Sequence, residues 1–75
     1  MPKTPIMSGQ QVIDHLCSCF NFIFIKQKGS HVKLRTISEP YVTVIVPLHD
    51  ELKSGTLAAI LRQAKIDKEE FFEED

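Results

Sequence analysis

The sequence is short of several things, and each shortage excludes a class of protein. The 75-residue chain holds no apolar run near the roughly 20 residues that cross a bilayer, so no membrane helix is expected. The opening stretch MPKTPIMSG has no apolar h-region of the kind a secretory signal needs, and a cytoplasmic location is expected. Cysteine is limited to Cys17 and Cys19. A lone C-x-C with no second pair completes neither a four-ligand zinc site nor a common redox motif. On a helix these two positions point about 200° apart, so they should not bridge each other, and both read as small apolar filling. Neither a metal nor a cofactor is expected. No repeat and no low-complexity linker interrupts the chain. A further absence is local: KQKGSHVKLR, residues 26–35, contains no carboxylate.

What is present describes a small globular protein, with 43% hydrophobic and 25% charged residues. One domain over residues 1–75 is expected. A chain of this size buries roughly 60–65% of its unfolded surface and gains a net of only about 3–5 kcal/mol from its core, so such proteins often lean on a partner. Charge is unevenly spread. Residues 1–66 carry eight Lys/Arg against four Asp/Glu, a net of +4, and residues 67–75 carry one Lys against six acids, a net of −5. The acidic segment reads as a solvated helix end or as a competitor for a basic face.

Ser8 followed by Gln11 has capping-box spacing, and Val12, Ile13, Leu16, Cys17 and Phe20 follow at helical intervals. A first helix is predicted from Gly9 to Cys19, ended by Asn21, a residue that tolerates left-handed backbone. FNFIFIKQK predicts a strand. Lys28-Gly29 predicts a tight turn, and SHVKLRTI predicts a second strand with Val32 and Leu34 on one face and His31, Lys33 and Arg35 on the other. Ser38-Glu39-Pro40 is the next turn, and YVTVIVP predicts a third strand ended by Pro47. Ser54 is expected to cap a helix with an apolar stripe of Leu57, Ile60, Leu61 and Ala64. Asp67 and Glu70 are expected to form a second capping box, with Ile66 and Phe71 at staple spacing. The predicted fold is α+β: an antiparallel three-stranded sheet with the helices on one face, in the order α-β-β-β-α-α. Phe20, Phe22 and Phe24 are expected mainly in the core, although strand parity leaves one or two on the His31 face. His15 is expected on the surface and His49 in a loop.

The candidate chemistry centres on His31. Were Lys28-Gly29 a two-residue turn, Lys26 would stand opposite His31; a bulge would shift that register. The surrounding cations create a positive potential suited to a polyanion. An unperturbed histidine titrates near neutrality, so that side-chain type can accept a proton at neutral pH. Such a base can deprotonate an RNA 2′-hydroxyl while Lys and Arg stabilise the charge that develops on phosphorus. From chemistry alone three readings stay open: a ribonuclease, a non-catalytic RNA-binding module and a protein-interaction module. The candidate RNA contacts are Lys26, Lys28, Ser30, Lys33 and Arg35.

Four stretches together carry a resemblance: SGQQVIDHL (Ser8–Leu16), NFIFIKQKGSH (Asn21–His31), VPLHDELKSGTL (Val46–Leu57) and ILRQAKI (Ile60–Ile66). The chain resembles the HicA toxins of bacterial toxin–antitoxin systems. The resemblance implies a double-stranded-RNA-binding-domain-like fold, metal-independent cleavage of mRNA and neutralisation by a HicB-like antitoxin. It implies a catalytic role for His31, in the G-S-H motif, and a turn role for Gly29. Asn21 and Lys65 stand where the family usually has glycine, and the acidic tail extends past the family core.

Overall fold

The computed structural model describes residues 6–73. Its elements are α1 (Gly9–Cys19), β1 (Phe22–Lys28), β2 (His31–Thr36), β3 (Thr43–Pro47), α2 (Ser54–Ala64) and α3 (Lys68–Phe71). The strands form an antiparallel sheet in the order β1-β2-β3. The helices pack against one face of it, an α+β arrangement consistent with a double-stranded-RNA-binding-domain-like fold. The N-terminal five residues lie outside the described residues, as do Glu74 and Asp75 of the acidic run.

The first helix begins where its capping box requires. The Gln11 amide donates to Ser8 Oγ (3.1 Å) and the Ser8 amide donates to Gln11 Oε1 (2.9 Å), so two otherwise orphaned backbone donors are satisfied. Val12, Ile13 and Leu16 are buried. They meet Val32 and Leu34 of β2, Val44 and Val46 of β3, and Leu57, Ile60, Leu61 and Ala64 of α2 in one core. Asn21 leaves α1 at φ 60°, and its carbonyl accepts from the Ile37 amide (2.9 Å).

Gly9 has a different task from the turn glycines. A Cβ built on it would lie 1.9 Å from the Pro47 carbonyl oxygen and 3.0 Å from Leu48 Cα. The start of α1 is therefore pressed directly on the backbone that leaves β3, and the Gly9 amide donates to the His49 carbonyl (2.9 Å).

The remaining helix ends depart from the expected caps. Ser54 is the first residue of α2 and not its cap; Lys53 takes that position, and no side chain bonds there. Asp67 precedes α3, yet it too makes no side-chain cap bond, so the second capping box is absent. The C-terminus of α2 closes through backbone alone: the Lys65 amide donates to Arg62 O (3.2 Å) and the Ile66 amide to Leu61 O (3.0 Å), a Schellman pattern. This requires Lys65 to sit at φ 60°.

Three side-chain expectations are corrected. Cys17 and Cys19 are exposed, not core filling, because α1 turns its 12–13–16 stripe inward and those two positions fall outside it. His15 is half-buried and not a surface residue: its Nε2 bonds the Phe71 carbonyl (2.8 Å), and its ring stands edge-on to Phe71 and Phe20. Phe24 is 55% exposed. It shares the Leu34 face, but β1 is the sheet's edge and the helices do not reach over that residue.

Candidate nucleic-acid interface

The sheet face away from the helices is built by β-strand alternation. On β2, Val32 and Leu34 point into the core, while His31, Lys33 and Arg35 point away from it. The ladder then fixes their neighbours. Across β1, β2 and β3 the face reads Lys28–His31–Pro47, then Lys26–Lys33–Ile45, then Ile23–Arg35–Thr43. None of the three strands contains a carboxylate, so no acidic strand residue offsets the cations of this face.

A β-bulge is what brings two of those cations in. The pairing steps from Phe24↔Leu34 directly to Lys26↔Lys33, which leaves Ile25 as the extra residue. Unbroken alternation from Ile23 would have put Ile25 and Gln27 on this face and turned Lys26 and Lys28 toward the helices. One inserted residue reverses the phase of everything after it. The result places Lys28 directly across from His31, and Lys26 one row further along.

The hairpin turn also differs from expectation. Its two central residues are Gly29 and Ser30, and Lys28 is the last residue of β1. Lys28, not Lys26, therefore opposes His31. Gly29 has φ 59° with no atom within 4 Å of a built Cβ, so it is required for backbone conformation and not for space. A positive φ at the first turn position alone suits a hairpin of type II′. Ser30 is anchored by its carbonyl, which accepts from the Leu48 amide (2.6 Å). The histidine thus begins a strand pinned on both sides, by the β1 ladder and by the chain leaving β3.

His31 is exposed, as are Lys26, Lys28 and Ser30; Lys33 and Arg35 are half-buried. Five of the six share the sheet face by register, and Ser30 lies beside them in the hairpin turn. The structure also brings in residues that sequence reasoning passed over. Tyr41, 55% exposed, lies under the Arg35 guanidinium at 4.3 Å from its ring centre. Ile23 and Ile45 complete an apolar margin beside the cations. The available signal for Tyr41 was parity: it lies two residues before Thr43, which opposes Arg35.

Elsewhere the chemistry is thinner. A shallow groove on the helix side is lined by His15, Cys19, Phe20, Glu70 and Glu73, but His15 Nε2 is already engaged by Phe71. Among the described residues no group of three or more His, Cys, Asp or Glu is arranged to hold a metal ion. Partial desolvation of the otherwise exposed side chain, and secondarily the Asp14 carboxylate, push the Cys17 thiol above its ordinary pKa, which opposes thiolate formation. No helix among the described residues is long and apolar enough to cross a membrane.

The fold and this face define a small α+β protein with an exposed histidine on a basic β-surface. Residues 9–66 match the family described as HicA toxin of bacterial toxin–antitoxin. The chain belongs to the HicA toxin family. Among curated proteins no significant match is found. The matched span runs from the glycine that docks on Pro47 through the Schellman end of α2, and it includes the whole basic face.

Proposed function

We propose that this toxin is an endoribonuclease that cleaves mRNA, with His31 as general base and Lys26, Lys28, Ser30, Lys33 and Arg35 as its contacts to RNA. The observation that carries the reading is the position of His31: solvent-exposed, opposite Lys28, one row from Lys26 and Lys33, on a sheet without a carboxylate. A basic surface gathers the RNA backbone, and the imidazole then has a polyanion within reach.

The step is a transesterification. His31 takes the proton of an RNA 2′-hydroxyl, and the resulting oxygen attacks the adjacent phosphorus. The bond from phosphorus to the 5′-oxygen breaks, that oxygen takes a proton from water, and His31 returns its own proton to solvent. The products are a 2′,3′-cyclic phosphate and a 5′-hydroxyl end. Cations close to the phosphate stabilise the charge added in the transition state. The step consumes no metal-bound water, and cleavage is expected to persist with EDTA present.

A HicB-like antitoxin is the partner that would restrain this activity, and mRNA as substrate puts the toxin to work in the cytoplasm. The test is His31→Ala. General base action by one residue is worth roughly 10² to 10⁴ in rate, so the variant should lose at least about a hundredfold in RNA cleavage and lose growth inhibition, with an unchanged circular dichroism spectrum. Cleavage by this variant at the wild-type rate would remove His31 from the mechanism. RNA retained by the wild type without any products would make the protein a binding module only.

A further inference from the structure

We infer that Tyr41, with the Arg35 guanidinium seated on its ring, is a stacking platform for an unpaired RNA base, and that the substrate is therefore single-stranded where it crosses this end of the face. The inference rests on the ribonuclease reading above and adds a substrate class to it.

Tyr41 is held in place by its neighbours. The Thr36 amide donates to the Val42 carbonyl (3.0 Å), and the Val42 amide donates to Thr36 Oγ1 (3.0 Å). Thr36 Oγ1 also lies 3.3 Å from the Pro40 carbonyl. The loop that carries the ring is thus bonded to the end of β2 on both sides of Tyr41. Arg35 Nε donates to the Thr36 carbonyl (3.2 Å), which fixes the plane that covers the ring. One ring face is occupied by Arg35, and the residue is still 55% exposed.

An exposed aromatic side chain next to cations is what single-stranded nucleic acid uses: the ring stacks a base of any identity, and the charge follows the backbone. Arg35 is four residues from His31 on the same strand face, a separation of about 13 Å at the usual rise per residue. The base on Tyr41 therefore belongs to a neighbouring nucleotide and not to the one whose 2′-hydroxyl is attacked. Lys26 and Lys33 lie in the row between, where the intervening phosphates would pass. In a duplex the bases are stacked on one another and offer no free face to the ring, so the platform selects unpaired RNA.

The chain reports on this site directly, because Tyr41 is its only tyrosine and it has no tryptophan. The full chain carrying His31→Ala, which should bind without cutting, is titrated with an unstructured oligoribonucleotide and with an RNA duplex. Binding is followed by anisotropy of a label on the RNA, and tyrosine emission is read in parallel. The expected result is quenching of tyrosine emission by single-stranded RNA but not by duplex. Tyr41→Ala in the same background should weaken single-strand binding about tenfold or more. Tyr41→Phe should stay within about twofold, since the ring and not the hydroxyl does the stacking. Bound single-stranded RNA with unchanged emission would overturn the platform and leave the ribonuclease reading standing, as would equal quenching by duplex. No binding of either RNA at low salt would overturn both.

Discussion

A lysine holds φ 60° at the end of α2, and nothing in its side chain explains why it should. The left-handed conformation costs an L-residue roughly 1–2 kcal/mol, and glycine would escape that cost while losing part of the gain to its freer unfolded chain. Lys65→Gly is therefore expected to stabilise the protein by up to about 1 kcal/mol, a rise of about 4–8 °C in Tm for a domain this small, read by thermal unfolding. A lower Tm would mean that the lysine makes a contribution the backbone argument omits. Of the two left-handed positions, Asn21 was legible in the sequence, as a residue that tolerates that backbone where a helical periodicity ends, whereas Lys65 stood out only because the family it resembles usually has glycine there. His31 was legible too, since its face follows from alternation with Val32 and Leu34. His15 and the cysteines were not legible. His15 is half-buried because Phe71 of α3 folds back onto it, and helix spacing alone does not say which flank of the apolar stripe a later segment will cover. Cys17, four residues after Ile13, has stripe spacing yet falls outside the buried set.

The elements do more than supply a scaffold, because their joints decide what the face contains. The bulge at Ile25 turns Lys26 and Lys28 toward His31. A run as apolar as FIFI gives no sign of where its phase will break, so the register could be anticipated only as uncertain. The other joint is the docking of α1 on the end of β3. Gly9 permits it, with the Pro47 carbonyl where a Cβ would stand. The three nearest atoms a methyl group would meet there all belong to backbone, so they have little room to yield, and overpacking of this sort costs about 1–3 kcal/mol or more. Gly9→Ala should lower stability by at least about 2 kcal/mol in urea unfolding. It should also slow RNA cleavage, because Pro47 is the cross-strand neighbour of His31. Stability within about 0.5 kcal/mol of the parent would show that the α1–β3 contact is looser than described. Helix 1 itself was read from the sequence at about its observed limits, since the capping box marks its start; the tight approach was not, since it joins residues nearly 40 positions apart in the 75-residue chain.

At the scale of the molecule, charge is divided across the sheet. The cations of β1 and β2 occupy one side. Glu70 and Glu73 lie on the other, beside His15 and Cys19 of α1. The acidic segment, over its described residues, therefore belongs to the helix layer and leaves the basic face open. That separation explains how a chain with a formal net charge of −1 can present a surface fit for a polyanion, a property that net charge alone would hide. The central claim is that this open face cleaves RNA through the substrate's own 2′-hydroxyl, with His31 as base. The measurement that tests it most directly is end-group analysis of RNA incubated with the purified full chain in the presence of EDTA. The account predicts fragments with 5′-hydroxyl and 2′,3′-cyclic phosphate ends; intact RNA, or fragments with 5′-phosphate ends, would contradict it.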